Sequence, residues 1–162
     1  NTFLRNQVKN IYTSNNMNEI SIVNREMTPE EFKRMNLGFD ELSLEEGVAI
    51  ESSDRFSFVA SEGNTFIGCS SGLANKNGGN YSGWFFLTDL FVEKEYRSKG
   101  LGAELLERLE EQVEGLGVKH IWLWTSGYTA LKFYERQGYK KFAEMENWYS
   151  DGSSRVGLRK NL

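Results

Sequence analysis

Hydrophobic and polar positions change period several times along this chain, and each change marks an element. Residues 19–23, EISIV, alternate polar and apolar as a half-buried strand does. TPEEFKRM then carries helix-start signals, with Thr28 as cap, Pro29 at the first helical position and Glu31 offering a carboxylate to the positive helix end. A second helix is expected over residues 43–49. Residues 56–60 and 65–73 read as strands joined by a tight turn at Glu62, Gly63 and Asn64, and NKNGGNYSG as a loop. WFFLTDLFV, residues 84–92, is apolar on both faces, the pattern of a central strand.

Leu105, Leu106, Leu109, Val113 and Leu116 then line one helical face opposite Glu104, Glu107, Arg108, Glu111 and Glu114, before Gly115 and Gly117 stop the helix. HIWLWTS is a second buried strand and YTALKFYERQG a short helix ended by Gly138. Residues 139–149 and 155–160 form a closing hairpin around SDGS. Residues 84–92, the helix and residues 120–125 make a strand, helix, strand unit, expected to be a right-handed crossover between parallel strands.

Composition narrows the class. At 162 residues, with one proline and 39% hydrophobic content, the chain suits one compact domain over residues 17–162. Residues 1–16 are asparagine-rich and weakly periodic, and read as a flexible arm, a cloning remnant or a native extra helix. A net charge of -4 argues against a nucleic-acid partner. No apolar run reaches the roughly eighteen residues that cross a bilayer, and no leader pattern is visible, so a soluble cytoplasmic protein without a membrane partner is expected. Cys69 has no cysteine to pair with and no metal-ligand companions, and reads as a small side chain packed in a strand; no metal site is expected.

The chemistry concentrates where the central strand hands over to the helix, in EYRSKGLGAELL. The carboxyl end of a strand in an α/β sheet is where ligands bind, and a helix start there offers unpaired N–H groups and a positive dipole end. Gly100 and Gly102 allow close approach of an anion, and Arg97 and Lys99 supply charge, so a phosphate or pyrophosphate is the expected guest. A dinucleotide fingerprint would need glycine at Leu105. A nucleoside-triphosphate loop would need lysine and a hydroxyl residue at Ala103 and Glu104.

Taken with the later ALKFYERQGY, the segment resembles the GCN5-related N-acetyltransferase (GNAT) superfamily. The family's Arg/Gln-x-x-Gly-x-Gly/Ala reads here Arg97, Ser98, Lys99, Gly100, Leu101, Gly102. Its Ala-x-x-Phe-Tyr-x-x-x-Gly-Phe/Tyr is matched from Ala130 through Phe133, Tyr134 and Gly138 to Tyr139. The order of elements fits from residue 19 to the last residue. The resemblance implies an α+β, three-layer acyl-CoA N-acyltransferase fold. Its mixed central sheet has six to seven strands, a central parallel pair splayed apart, and helices on its flanks.

The resemblance further implies acetyl-coenzyme A as co-substrate. Its pyrophosphate would lie on Arg97 to Ala103 and its pantetheine arm against backbone groups of Leu90, Phe91 and Val92. Phe133 would border the cofactor, and Ser126 and Thr129 stand where relatives place a polar contact, although the asparagine frequent there is missing. Tyr134 occupies the position that gives a proton or hydrogen bond to the departing sulfur; with a phenol near about 10 against a thiol near about 8.5, it is neutral at working pH.

Asp89 interrupts an apolar strand and is the first candidate for the base that takes the amine proton, with a structural hydrogen bond as the other reading. Glu93 or a water chain are alternatives. His120, the chain's one histidine, starts its strand at the end away from the site, which argues against a Ser/His/Asp hydrolase.

The acceptor pocket of relatives uses the first helical region and the last hairpin. Glu144, Glu146 and Trp148 there suit a small cationic amine, unless the carboxylates are simply solvated. A protein or peptide amine, or a sensor that binds acyl-coenzyme A without turnover, are the alternatives. The closing strands offer an edge for a homodimer.

Overall fold

The computed structural model describes residues 20–162. The expected arm, residues 1–16, lies outside the described residues. The chain divides between Gly47 and Val48 into two compact units.

In the first unit, helix α1 (Pro29–Glu45) starts as its sequence dictates. Glu31 N–H donates to Thr28 Oγ1 at 3.3 Å and Thr28 N–H donates to Glu31 Oε2 at 2.7 Å, a reciprocal cap that satisfies two helix-end donors. Arg25 clamps the same carboxylate from 2.6 Å. Two expectations fail here. Of the strand expected over residues 19–23, the described residues 20–23 form none and remain exposed. Alternation reports only which side a residue would face, whereas a strand also needs a ladder partner. The second helix over 43–49 is also absent. Ser43 belongs to the last turn of α1, its hydroxyl donating to the Phe39 carbonyl at 3.0 Å, and the chain leaves the helix at Glu46 and Gly47.

The second unit is built on one six-stranded sheet. Its strands are β1 (Glu51–Glu62), β2 (Thr65–Asn77), β3 (Asn80–Val92), β4 (His120–Ser126), β5 (Lys140–Met145) and β6 (Arg155–Asn161), in the order β1-β2-β3-β4-β6-β5. The first three form an antiparallel meander. The asparagine- and glycine-rich stretch expected as a loop is mostly strand. β2 and β3 extend until Asn77 faces Asn80 across a turn at Gly78 and Gly79, a hairpin geometry that needs the positive φ of 65° at Gly78.

Helix α2 (Leu101–Gly115) crosses from β3 to β4, which are parallel, and helix α3 (Tyr128–Arg136) leads from β4 to β5. Leu105, Leu106, Leu109 and Val113 of α2 are buried as their spacing predicts, in a core shared with Phe85, Leu87, Ile121, Leu123 and Leu158. Leu116, past the helix end, is 40% exposed. Gly72 is required by this packing. A Cβ there would come within 2.3 Å of the Phe85 ring, so only glycine lets that ring lie across β2.

One irregularity shapes the site. Gly72 pairs with Leu87 and Ser71 with Asp89, so Thr88 is an extra residue in β3 without a partner. The parallel ladder to β4 holds only three pairs, Trp84 to His120, Phe85 to Ile121 and Phe86 to Trp122. Beyond Phe86 the two strands have no paired residues, which opens a gap at their carboxyl ends.

Candidate functional site

The gap leads into the turn that starts α2. A 3-10 turn at Lys94–Tyr96 carries the chain off β3, and Arg97 Nε returns to donate to the Val92 carbonyl at 2.8 Å, tying the loop to the strand end. Ser98 and Gly100 both have positive φ, 59° and 87°. This left-handed stretch turns successive N–H groups the same way. The first intrahelical bond runs from Glu104 N–H to the Gly100 carbonyl. The N–H groups of Leu101, Gly102 and Ala103 have no acceptor among the described residues. Three free donors at a positive helix end, beside Arg97, fit a phosphate group, and at Gly100 there is open space where a Cβ would stand.

From this cradle a cleft of about 640 Å³ runs along α3. It gathers most of the expected cofactor residues: Leu90, Phe91 and Val92 from β3, Arg97, Ser98, Gly100, Gly102 and Ala103 from the turn, and Thr129, Phe133 and Tyr134 from α3. Glu93 N–H is bonded to the Ile67 carbonyl, so antiparallel alternation turns the N–H groups of Leu90 and Val92 away from β2, towards the gap.

Three expected residues do not line the cleft. Lys99 lies with Nζ 5.5 Å from the Tyr96 ring centroid, Leu101 is half-buried in the first helical turn, and Ser126 is exposed at the end of β4 opposite Arg155. Three unforeseen ones do: Ala130, Arg136 and Gln137. The last two stand three and four residues after Phe133, the spacing of one helix face, and that signal was available in the sequence.

Tyr134 is 8% exposed, and burial pushes its hydroxyl up to about 12. Among the described residues that hydroxyl has no hydrogen-bond partner and no fully enclosed side-chain polar atom is left unpaired, so it reaches the cleft free to engage a ligand. Behind it, the Tyr139 ring stands edge-on at 5.5 Å and its hydroxyl donates to Glu110 Oε1 at 2.9 Å. Lys160 Nζ donates to the other oxygen of Glu110 at 2.5 Å. Burial, with the Glu110 carboxylate, holds the Tyr139 hydroxyl well above the usual phenol range. No spacing or motif singles out Glu110 or Lys160, which lie fifty residues apart.

Asp89 differs from its expected setting. It is not buried in an apolar strand: its side chain is 60% exposed on the sheet face opposite α2. The extra residue at Thr88 puts Asp89 in register with Ser71 and shifts it onto the face of Phe86 and Trp122. Thr88 Oγ1 donates to its Oδ2 at 2.6 Å, and Arg55 Nη1 stands 3.7 Å away. Glu93 stands just before the 3-10 turn and makes no side-chain capping bond to it.

The closing hairpin is also rearranged. β5 ends at Met145, and Glu144 is engaged by Lys141 at 2.6 Å, which with Ser154 holds its carboxyl below the usual range. Glu146 is exposed in the following turn. Trp148 has Arg155 over its ring at 5.2 Å, and the same guanidinium lies 5.6 Å from the ring of Trp124. None of the three lines the cleft. Among the described residues no group of three or more His, Cys, Asp and Glu is placed to hold a metal ion, and no helix is long and apolar enough to cross a membrane.

Comparison with known proteins agrees with this geometry. Over 85 residues the chain is 40% identical to an amino-acid acetyltransferase of Pseudomonas paraeruginosa, a match covering 51% of this chain and 18% of that protein. The chain therefore spans about a fifth of that relative's length. A crystal structure of an acetyltransferase from Bacillus cereus superposes with a TM-score of 0.70 at 20% identity, covering 85% of this chain and 96% of the other. Arabidopsis thaliana Naa50, in complex with the bisubstrate analogue CoA-Ac-MVNAL, superposes with a TM-score of 0.57 at 20% identity over 65% of this chain and 72% of its own. Both share the fold over the residues matched. The model of the acetyltransferase (GNAT) family matches residues 18–139, three quarters of the chain and both sequence motifs, so this chain belongs to that family.

Proposed function

We propose that this chain transfers an acetyl group from acetyl-coenzyme A to the primary amine of a small molecule, with both substrates held together and no acetylated enzyme between. The observation that carries the reading is the junction, in one cleft, of a phosphate-sized cradle with free N–H donors and a buried tyrosine whose hydroxyl is unengaged.

Bound acetyl-coenzyme A would supply an activated thioester. The N–H groups of Leu101 to Ala103, with Arg97, hold its pyrophosphate. Arg136, unforeseen from the sequence, adds a second cation on the opposite wall. The gap-facing N–H of Leu90 or Val92 polarises the carbonyl; a fixed donor of this kind lowers a barrier by about 3 kcal/mol. Asp89 accepts the proton released by the amine as the C–N bond forms. Tyr134 gives its proton to the sulfur as the C–S bond breaks, and recovers it from solvent. Its raised value keeps the hydroxyl protonated throughout the neutral range.

The acidic hairpin does not support the cationic acceptor expected from sequence, because Glu144 already has Lys141 as its counter-ion. A peptide amine is the second reading, since the stacked rings of Phe66 and Phe91, on the same face as Asp89, are 44% and 41% exposed and leave room for an extended chain.

Titration calorimetry with acetyl-coenzyme A, against NADH and ATP, tests the cofactor. A free-thiol assay with amines and peptides then tests transfer. Binding of acetyl-coenzyme A alone is expected; equal binding of all three, or none, would end this reading.

A further inference from the structure

The cofactor cleft lies on the α2 and α3 side of the sheet, so an acceptor reaches the gap from the other side. That side carries a polar cluster built by the extra residue in β3. Arg55 Nη1 donates at 2.9 Å to both Ser71 Oγ and Thr88 Oγ1, and Ser71 Oγ is 2.7 Å from Ser57 Oγ. Ser71 itself is only 8% exposed, so the guanidinium is anchored to a buried hydroxyl and is not a freely swinging surface side chain. The same Thr88 hydroxyl orients Asp89. The result is a fixed cation and a fixed anion 3.7 Å apart, at the stretch of β3 that has lost its β4 partner.

Both groups retain free valences. The Nη2 and Nε donors of Arg55 and one carboxylate oxygen of Asp89 have no protein partner among the described residues, and the two side chains are 51% and 60% exposed. Across the gap, Arg155 stands in register with Ser126, at the end of β4, and adds positive charge on the far flank.

Resting on the acetyl-transfer reading, we infer that the acceptor is an amine carrying a carboxylate on or near the same carbon, an amino acid in the broad sense. Asp89 receives the ammonium and Arg55 the carboxylate. In an α-amino acid the nitrogen and the carboxyl carbon are about 2.5 Å apart, from the N–Cα and Cα–C bond lengths and the angle between them. Such a dipole lies head-to-tail along the Arg55–Asp89 pair. The arginine fork suits a planar carboxylate; the ammonium held by Asp89 loses one proton to solvent to become the nucleophile, and Asp89 takes the second as the C–N bond forms.

The experiment compares matched acceptors on the full chain: phenylalanine with 2-phenylethylamine, lysine with 1,5-diaminopentane, glutamate with 4-aminobutyrate, and a tetrapeptide, each by thiol release at saturating acetyl-coenzyme A. At least one amino acid is expected to exceed its decarboxylated partner by tenfold or more in kcat/KM. Arg55→Ala should raise the KM of that amino acid at least tenfold. The affinity for acetyl-coenzyme A should stay unchanged, and Arg55→Lys should recover only part of the loss in KM. Preference for a decarboxylated amine or the tetrapeptide, or an unchanged KM in Arg55→Ala, would overturn the inference while leaving acetyl transfer intact. Calorimetry showing no acetyl-coenzyme A binding to the wild type would overturn both.

Discussion

Tyr139 stands edge-on against Tyr134, ring centroids 5.5 Å apart, while its own hydroxyl is fixed by Glu110 from the neighbouring helix. The tyrosine that faces the cleft is thus backed by one that cannot turn. Glu110 is 9% exposed and shares its charge with Lys160. Glu110→Ala leaves Lys160 largely out of water without a counter-ion, and a loss of about 3 kcal/mol in urea unfolding is expected. Tyr139→Phe keeps the ring contact and should cost only about 1 kcal/mol.

Tyr134→Phe removes the hydroxyl proposed to protonate the sulfur but preserves the ring and its packing. Acetyl-coenzyme A affinity by calorimetry should be unchanged, and kcat should fall by about a hundredfold, the scale of a lost general acid. An unchanged kcat with a true acceptor would remove Tyr134 from the chemistry.

Gly102 borders the cleft beside Val92 and Phe133, whose atoms would lie 3.6 and 3.8 Å from a new Cβ. Alanine would therefore fold normally, whereas the larger side chain of Gly102→Val enters the cleft proposed to hold the cofactor. A tenfold or greater rise in the dissociation constant for acetyl-coenzyme A is expected, with little change in melting temperature. Arg97→Ala should weaken the same binding and also free the Val92 carbonyl.

The raised value of Tyr134 has a defined alkaline signature. Because its folded value is about 12 against an ordinary value of 10, the associated stability is complete below pH 10 and is lost as pH rises towards 12. Ultraviolet titration of phenolate should show Tyr134 ionising after the exposed tyrosines, and Tyr134→Phe should reduce the late-ionising phenols by one, leaving Tyr139.

The cap of α1 has an acid signature of opposite sign. Arg25 and the Thr28 N–H hold the Glu31 carboxyl at about 2, below its ordinary 4.5. Its contribution is full above pH 4.5 and is lost as pH falls through about 2. Circular dichroism of Glu31→Gln at neutral pH should show the helix fraying expected of the wild type only in strong acid.

Local signals were legible wherever the physics is local. Thr28, Pro29 and Glu31 specify a helix start within four residues, and they form it. The leucine spacing of α2 fixed its buried face, and the turn from Arg97 to Gly102 announced a cradle because left-handed backbone and missing side chains are written in the residues themselves. What failed were judgements needing a partner. EISIV alternates correctly yet pairs with nothing, and NKNGGNYSG reads as a loop until Asn77 finds Asn80.

The sequence by itself therefore determined the family, the left-handed turn that opens α2 and the place of Tyr134 on α3, since each rests on spacing along one segment. Only the tertiary structure decided the face of Asp89. The extra residue at Thr88 reverses which side of the sheet the following side chains meet, and one position is enough because a strand alternates with period two. The same folding brings Arg55 to Thr88 across thirty-three residues and Glu110 to Lys160 across fifty. Charge pairs of that separation leave no periodic trace in the chain, because sheet register and helix packing alone create their contact.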